Sequence, residues 1–384
     1  MKKKVGLYIH VPFCLKKCLY CSFYSEPVRP EQLLVREYVE ALNIEIKRAA
    51  DRADEKEIGT IYMGGGTPTL LSAQQLASLL ENLNRHFHLL DDIEFTVEAN
   101  PGTIDREKAS ILRTYGVNRI SLGMQAAQDH LLSLIGRVHT YESTLRSYEM
   151  IKEAGFENVN VDLMYGLPRQ TTKEWLHTLK EAVRLDPDHI SAYSLVLEEA
   201  TPLAVRHKRG ETALPSEEEE ELMHDQTEDI LPSRGFSRYE ISSYAKPQKE
   251  CLHNQIYWLN EEYTGLGAAA FSYADRCREK NINRVTEYLF RIFSDQSAKD
   301  WQERLSLESE MGETMMMGLR MKRGVRFSYF KDRFGQDLLQ VFGQEIAYLQ
   351  ELGLVGMDEE SVFPTGKGFR YNNAVGREFV GRQG

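Results

Sequence analysis

The chain has 384 residues, and its 47 Lys and Arg against 58 Asp and Glu give a formal net charge of −11. A hydrophobic fraction of 42% supports a large core and excludes a disordered chain. The acidic balance argues against a general nucleic-acid binder, which needs a basic face, and no apolar run is long enough to span a membrane.

The basic start, MKKKVGLYIH, runs into Pro12 without the apolar core and cleavage site of a signal peptide, so we expect a first strand and a cytoplasmic protein. Apolar runs then alternate with amphipathic stretches. The pattern predicts strands over 5–10, 58–63, 93–98, 119–123, 159–162 and 190–194, with helices over 31–50, 73–86, 105–115, 141–154 and 172–185. This alternation is typical of parallel β–α–β units in a doubly wound sheet or a barrel.

Ser216 followed by five glutamates, 217–221, predicts a helix start. Beyond Asp295 the composition of the chain changes. A Met-rich helix over 305–319, two further helical stretches and a Gly-rich strand pair near 362–371 resemble a small winged-helix-like module. It has no basic recognition helix, so we expect a structural or lid role and no nucleic-acid binding. We divide the chain into 1–240 (barrel), 241–300 (connecting segment) and 301–384 (C-terminal domain).

Five cysteines are few and odd in number, which disfavours a disulfide framework. Three of them, Cys14, Cys18 and Cys21, lie within eight residues. A structural zinc site needs four ligands, and Cys251 and Cys277 stand alone in the sequence. Three thiolates on one loop leave one iron of a four-iron cluster open for a substrate or cofactor. Three buried, unligated cysteines are the less interesting alternative.

A CxxxCxxC loop directly after a first strand resembles the radical S-adenosylmethionine (SAM) superfamily. The motif YIHVPFC ending at Cys14 and the motif GGGTPT over 64–69 resemble, more closely, the group containing oxygen-independent coproporphyrinogen III dehydrogenase and the HemW-type haem chaperones. The resemblance covers nearly the whole chain. It implies an incomplete (β/α)6 TIM-like barrel with a small C-terminal winged-helix-like domain. It also implies a [4Fe-4S] cluster on the three cysteines and SAM on the open iron, from which one electron generates a deoxyadenosyl radical.

The ends of the predicted strands supply polar residues that would meet at one rim of a barrel. By resemblance, the SAM contacts are Tyr8, Gly65, Gly66, Thr67, Glu98, Gln125, Arg137 and Asp162, and Tyr20 would lie against a second SAM or its equivalent site. Taken singly, each has an ordinary explanation: a turn glycine, a helix cap, a surface cation or a rim hydrogen-bond acceptor.

Three features separate the two functions that the resemblance allows. The enzyme's loop typically continues as CxxxCxxCxC, whereas in this chain Ser22 and Phe23 follow Cys21. The enzyme also carries a long N-terminal arm before its first strand, and we do not expect such an arm before Val5 here. The HNxxYW pattern, with His253, Tyr257 and Trp258, matches the haem-binding pattern of HemW. His253 would bind the iron or a vinyl group and the aromatics would cover the macrocycle. Alternatively, His253 and Asn254 cap a buried turn while the aromatics fill the core.

We therefore expect a haem chaperone that delivers haem to acceptor haemoproteins and uses a cytosolic electron donor. The alternative is the coproporphyrinogen III dehydrogenase, an oxidative decarboxylase. In the chaperone the cluster and SAM would regulate transfer or homodimerisation, without dehydrogenase activity. One departure stands out: Phe271 lies where relatives commonly have histidine. Cys251 and Cys277 have no role by resemblance.

Overall fold

The computed structural model describes residues 4–52 and 57–380. Residues 1–3 of the proposed barrel and residues 381–384 of the proposed C-terminal domain lie outside the described residues. Six parallel strands confirm the predicted ones and lie side by side in chain order, as in a barrel and unlike a doubly wound sheet. They are β1 (Lys4–Val11), β2 (Glu57–Gly65), β3 (Leu89–Ala99), β4 (Arg119–Gln125), β5 (Val159–Tyr165) and β6 (His189–Ser194).

Six long helices follow these strands, and five of them begin at a side-chain cap. Asp105 lies outside its helix as the N-cap, and Ser216 is the N-cap that the sequence predicts and also forms a capping box with Glu219. The helices are α1 (Leu33–Arg52), α2 (Ala73–His86), α3 (Arg106–Thr114), α4 (Tyr141–Glu153), α5 (Thr172–Arg184) and α6 (Glu217–Ser233), with short helices at Pro68–Leu70, Asp129–Leu134 and Pro202–Lys208.

Both edges of the six-stranded sheet are extended. Ser243–Ala245 and Ser237–Arg238 add antiparallel strands beside β6. Tyr263–Leu266 pairs parallel to β1, and three antiparallel strands continue outward from it: Phe271–Ala274, Cys277–Asn281 and Lys299–Arg304. Among the described strands the two outermost do not pair with each other, so the barrel is incomplete.

The barrel core consists of the apolar faces of the strands and helices. Every residue of β4 is buried, including the polar Arg119, Ser121 and Gln125, as expected for a parallel strand that is covered on both faces. The helix Leu252–Trp258 contacts β2 and the helix Leu307–Gly318, and the helix Val285–Phe293 packs against α1. No helix in 4–52 or 57–380 is long and apolar enough to cross a membrane.

The C-terminal domain has its own core around Phe330 and Ile346. Its helices are Leu307–Gly318, Phe327–Phe334, Leu338–Glu351, Gly366–Arg370 and Asn372–Val380, and its sheet contains Val325–Arg326, Val355–Met357 and Ser361–Pro364.

The strand pair predicted near 362–371 is wrong in its second half. Thr365 ends the strand and caps a helix, because its Oγ1 accepts a hydrogen bond from Gly368 N at 3.0 Å. The partner strand is Val355–Met357, which lies earlier in the chain.

Candidate functional site

The cysteine loop is held at both ends by main-chain hydrogen bonds. Val28 N donates to Cys14 O at 2.9 Å, where the short strands Phe13–Cys14 and Glu26–Pro27 pair. Leu19 N donates to Ile135 O at 2.9 Å, which ties the middle of the loop to the residues after Asp129–Leu134. The loop is therefore placed over the carboxyl ends of the barrel strands, where barrel sites form.

Cys14, Cys18 and Cys21 are partly exposed and form no disulfide among the described residues. Burial raises the pKa of Cys14 and of Cys21. No three His, Cys, Asp or Glu side chains in the described parts of the chain converge on one metal ion. In a four-iron cluster each thiolate binds a different iron, so three cysteines on one loop could bind three of the four irons.

The glycine motif after β2 brings the backbone close to this loop. Gly65 has φ +104°, and a Cβ there would lie 2.3 Å from the ring of His10. A Cβ on Gly66 would lie 2.6 Å from Phe13 O. Both positions therefore require glycine. Gly66 N donates a hydrogen bond to Val11 O at the end of β1, and Thr67 N donates one to Phe13 O.

Glu98 lies at the end of β3 against the same glycine motif. Its carboxylate accepts hydrogen bonds from Tyr62 OH at 2.8 Å and from Gly65 N at 3.2 Å. The pKa of Glu98 is raised to about 7, mainly by burial and also by the nearby Asp162, while the hydrogen bond from Tyr62 acts in the opposite direction. The group can therefore hold or release a proton near neutral pH.

Arg137 is joined to the cysteine loop through a chain of polar side chains. Its Nη1 donates to Asn100 Oδ1 at 2.5 Å, and Asn100 Nδ2 donates to Thr67 Oγ1 at 2.7 Å. Its Nη2 donates to Tyr20 OH at 3.0 Å. Arg137 Nε is buried and has no hydrogen-bond partner among the described residues, so the guanidinium keeps a donor for an anionic group.

Gln125 and Asp162 lie at and near the ends of the next two strands. Gln125 is buried at φ 65°, and its Oε1 accepts a hydrogen bond from Tyr193 OH at 3.1 Å. The carboxylate of Asp162 accepts hydrogen bonds from Ser121 Oγ at 2.9 Å and Asn160 Nδ2 at 2.7 Å. Polar groups from successive strands thus converge on one rim.

A cavity of about 650 Å³ opens beside this rim. Tyr8, Gly65 and Glu98 line it from the barrel. Other lining residues come from the cysteine loop and the residues just after it, from the helix Leu252–Trp258 and from the added strands: Lys17, Phe23, Tyr24, Tyr257, Tyr263, Phe271 and Lys280. Its walls are rich in aromatic rings, with lysines from two different elements. This composition suits a large flat ligand that carries negative groups.

His253 lies beneath the wall of the cavity. Its side chain is fully buried and stacked on Tyr62 with ring centroids 5.3 Å apart. Nδ1 lies 2.8 Å from Thr60 Oγ1, and Nε2 lies 2.9 Å from Tyr257 OH. Burial lowers the pKa of His253 to about 3, and the nearby Arg119 adds to the effect. The ring is therefore neutral, with both nitrogens engaged.

The remaining residues of the HNxxYW pattern point in different directions. Tyr257 lines the cavity, whereas Trp258 lies against the C-terminal domain, where the guanidinium of Arg320 is 4.8 Å from its ring centroid. The structure thus separates Trp258 from the other predicted haem contacts. Phe271, where the resemblance led us to expect histidine, is 44% exposed, and Lys280 Nζ lies 5.1 Å from its ring centroid.

Three residues important to this arrangement were missed from the sequence. Asn100 bridges Thr67 and Arg137, and Tyr62 holds Glu98. Glu94 accepts hydrogen bonds from Leu252 N and His253 N, both at 2.9 Å, and so caps the helix that carries Tyr257. Asn100 follows the end of β3 and precedes Pro101, a sequence that by itself indicates an ordinary turn.

The two other cysteines lie apart from the loop. Cys251 is buried and donates to Glu94 Oε1 at 3.5 Å, and burial raises its pKa to about 12. Cys277 begins an added strand and is partly exposed. Neither lines the cavity beside the cysteine loop.

Comparisons with known proteins agree with this geometry. The radical SAM superfamily profile matches residues 8–182, and the HemN C-terminal domain profile matches residues 305–371. The solved structure of coproporphyrinogen III oxidase (HemN) from Escherichia coli, described as a radical SAM enzyme, has a TM-score of 0.86. Its sequence is 24% identical, and the match covers 99% of this chain and 90% of that structure. The two proteins therefore share the same fold.

Curated relatives extend over nearly the full length. Heme chaperone HemW of Bacillus subtilis is 37% identical over 375 residues, covering 97% of this chain and 98% of its own. Heme chaperone HemW of Lactococcus lactis is 37% identical over 380 residues, covering 99% of this chain and 98% of its own. Heme chaperone HemW of Escherichia coli is 36% identical over 69% of each chain. The chain therefore belongs to the HemW family of the radical SAM superfamily.

Proposed function

We propose that the protein is a cytoplasmic haem chaperone, which binds haem, a [4Fe-4S] cluster and SAM and delivers haem to acceptor haemoproteins. The observation that carries the proposal is the similarity to proteins named heme chaperone HemW over almost the whole of both chains. The likeness to coproporphyrinogen III oxidase extends equally far, but at 24% identity it supports a common fold only.

The cluster would be held by Cys14, Cys18 and Cys21, and an electron from a cytosolic donor would make it competent to reduce SAM. The proposed SAM contacts are the rim residues and the glycine motif: Tyr8, Gly65, Gly66, Thr67, Glu98, Gln125, Arg137 and Asp162, with Tyr20 beside them. Two observations support this assignment. Arg137 Nε has no hydrogen-bond partner among the described residues, and the backbone at Gly65 and Gly66 lies close to His10 and Phe13. Arg137 would orient a carboxylate, since a guanidinium presents its donors in a fixed fork.

Haem would occupy the cavity of about 650 Å³. This volume lies within the range of cofactor pockets, and aromatic side chains provide flat apolar faces for a macrocycle. Lys17 and Lys280 line the cavity from the cysteine loop and from an added strand, so they would neutralise the two propionates. Phe271 offers a ring at a position where histidine is common in relatives, so this wall contributes contact area and no iron ligand.

The three residues of the HNxxYW pattern that we assign to haem, His253, Tyr257 and Trp258, would contribute differently to haem binding. Tyr257 faces the cavity, and His253 supports it from beneath through a 2.9 Å hydrogen bond. Trp258 would act indirectly, because its contact with Arg320 fixes the same helix against the C-terminal domain.

The proposal is tested by offering the reconstituted protein both ligands under anaerobic conditions. With haem, we expect saturable binding and a shifted Soret band. With coproporphyrinogen III, SAM and a reductant, we expect no protoporphyrinogen IX above the level produced without protein. Turnover of coproporphyrinogen III without haem binding would overturn the chaperone proposal in favour of the dehydrogenase.

A further inference from the structure

Trp301 is an exposed tryptophan beside the proposed haem cavity. It belongs to the outermost strand of the extended sheet, Lys299–Arg304, in which every residue is exposed. Its side chain does not line the cavity, but its ring centroid lies 6.5 Å from that of Phe271, which does. Both side chains are 44% exposed. Edge strands are commonly protected by charged residues, so a tryptophan here leaves an aromatic face available for contact.

The strand register places Trp301 on the same face of the sheet as the cavity wall. Phe271 lies opposite Lys280, and Lys280 lies opposite Trp301, on three adjacent antiparallel strands. Residues directly opposite each other in such a ladder project from the same face. Lys280 Nζ lies 5.1 Å from the ring centroid of Phe271, so the three side chains form one continuous row. We call Phe271, Lys280 and Trp301 the exposed platform.

The neighbouring residues on the same face are covered by the C-terminal domain. Tyr273 OH donates a hydrogen bond to Glu310 Oε1 at 2.9 Å. Arg278 donates to both carboxylate oxygens of Glu313, at 2.9 and 2.6 Å. Both acceptors belong to the helix Leu307–Gly318, which therefore bounds the exposed platform on one side and leaves its two aromatic rings uncovered.

We infer that the exposed platform is a second contact site for haem, which the haem occupies on its way between the cavity and the acceptor. The inference rests on the proposed haem-binding function and adds the route by which haem enters and leaves. Phe271 and Lys280 also line the cavity, so a haem that contacts them can move outward onto Trp301 without losing either contact. Lys280 has no ion-pair partner in the described parts of the chain, so its ammonium is available to a propionate in both positions.

A contact used only during entry and exit has its own kinetic signature. Loss of an ordinary contact in the bound state destabilises the complex and appears mainly as faster dissociation. Loss of a contact made only on the route raises the barrier in both directions. Association and dissociation then slow together, and Kd stays the same. The direction of the change in the dissociation rate therefore separates the two roles.

The test compares Trp301→Ala with the wild-type full-length protein in stopped-flow experiments. Association is followed with ferric haem, and dissociation is followed by transfer to a large excess of apomyoglobin. We expect both rates to fall by about threefold to tenfold, as for the loss of one aromatic contact, with Kd within about twofold of the wild-type value. Trp301→Phe keeps an aromatic ring and should recover most of both rates. Phe290→Ala is the matched control, because Phe290 is exposed and does not line the cavity, and it should leave both rates unchanged.

A further variant separates the route from a folding defect. Trp301→Lys places a residue that suits an exposed edge strand, so it should keep the urea unfolding midpoint and still slow both rates. Unchanged rates in Trp301→Ala and Trp301→Lys, or faster dissociation with a weaker Kd, would overturn the inference while leaving haem binding intact. A wild-type rate that rises with apomyoglobin concentration, and no longer does so in Trp301→Ala, would assign the surface to the acceptor protein and also overturn it. A wild-type protein that binds no haem would refute the proposed function and this inference together.

Discussion

The polar chain from Arg137 through Asn100 to Thr67 gives the sharpest test of how the site is built. Asn100→Ala removes two hydrogen bonds at once, the 2.5 Å bond from Arg137 Nη1 and the 2.7 Å bond to Thr67 Oγ1. Thr67 is itself 3.6 Å from Cys14 Sγ. The substitution therefore affects both the guanidinium and the support of the cysteine loop.

The size of the effect follows from the two bonds. The neutral bond is worth about 0.5–1.5 kcal/mol, and the bond from the charged guanidinium about 1.5–3 kcal/mol. Because Asn100 is only partly buried, water can replace some of the lost interaction, so we expect the lower end of the sum, about 2 kcal/mol. Asn100→Asp keeps an acceptor for Arg137 and loses only the donor to Thr67, so it should cost less than Asn100→Ala.

Urea unfolding of the cofactor-free protein, followed by circular dichroism, measures these losses as shifts of the unfolding midpoint. Asn84→Ala is the matched control, because Asn84 is an exposed residue of α2 with a single hydrogen bond to Tyr115 O. It should change stability by less than about 0.5 kcal/mol. A midpoint for Asn100→Ala equal to that of Asn84→Ala would refute the reasoning.

Three further predictions concern the protonation of Glu98, the binding of the haem propionates and the iron–sulfur cluster. The pKa of Glu98 is about 7 in the folded protein and ordinarily 4.5, so between these two pH values Glu98 binds more protons when the protein is folded. The cofactor-free protein should therefore lose stability as the pH rises through this window. Glu98→Gln should remove that dependence of stability on pH in urea titrations. Lys280→Met should weaken haem binding by about threefold to tenfold in a Soret titration, whereas Lys331→Met, an exposed lysine outside the cavity, should match the wild type. Cys18→Ser should abolish the visible iron–sulfur absorption after reconstitution and Cys277→Ser should retain it; retention in Cys18→Ser would contradict the cluster assignment.

The barrel could be predicted from the sequence because its strands are buried on both faces. β1 therefore appears as a mostly apolar run over 5–9, and the capping residues Asp105 and Ser216 mark the starts of their helices. The error near 362–371 arose because a Gly-rich segment after a strand resembles a hairpin, whereas Thr365 caps a helix there.

The details of the site were less accessible. Asn100 follows a strand and precedes Pro101, so its sequence alone reads as an ordinary turn. The helix Leu252–Trp258 could have been interpreted further: His253 and Tyr257 are four residues apart and share a face, whereas Trp258 must point elsewhere. That both nitrogens of His253 are engaged depends on Thr60 in β2, and such a pairing cannot be read from local sequence.

The most direct test of the chaperone account is haem transfer from the loaded, full-length protein to an apo-haemoprotein, followed by the growth of the acceptor's Soret band. The account predicts transfer that is faster than transfer from haem-loaded serum albumin at equal concentration and that saturates with the acceptor. Haem that stays on the protein, or that reaches the acceptor no faster than from albumin, would contradict it.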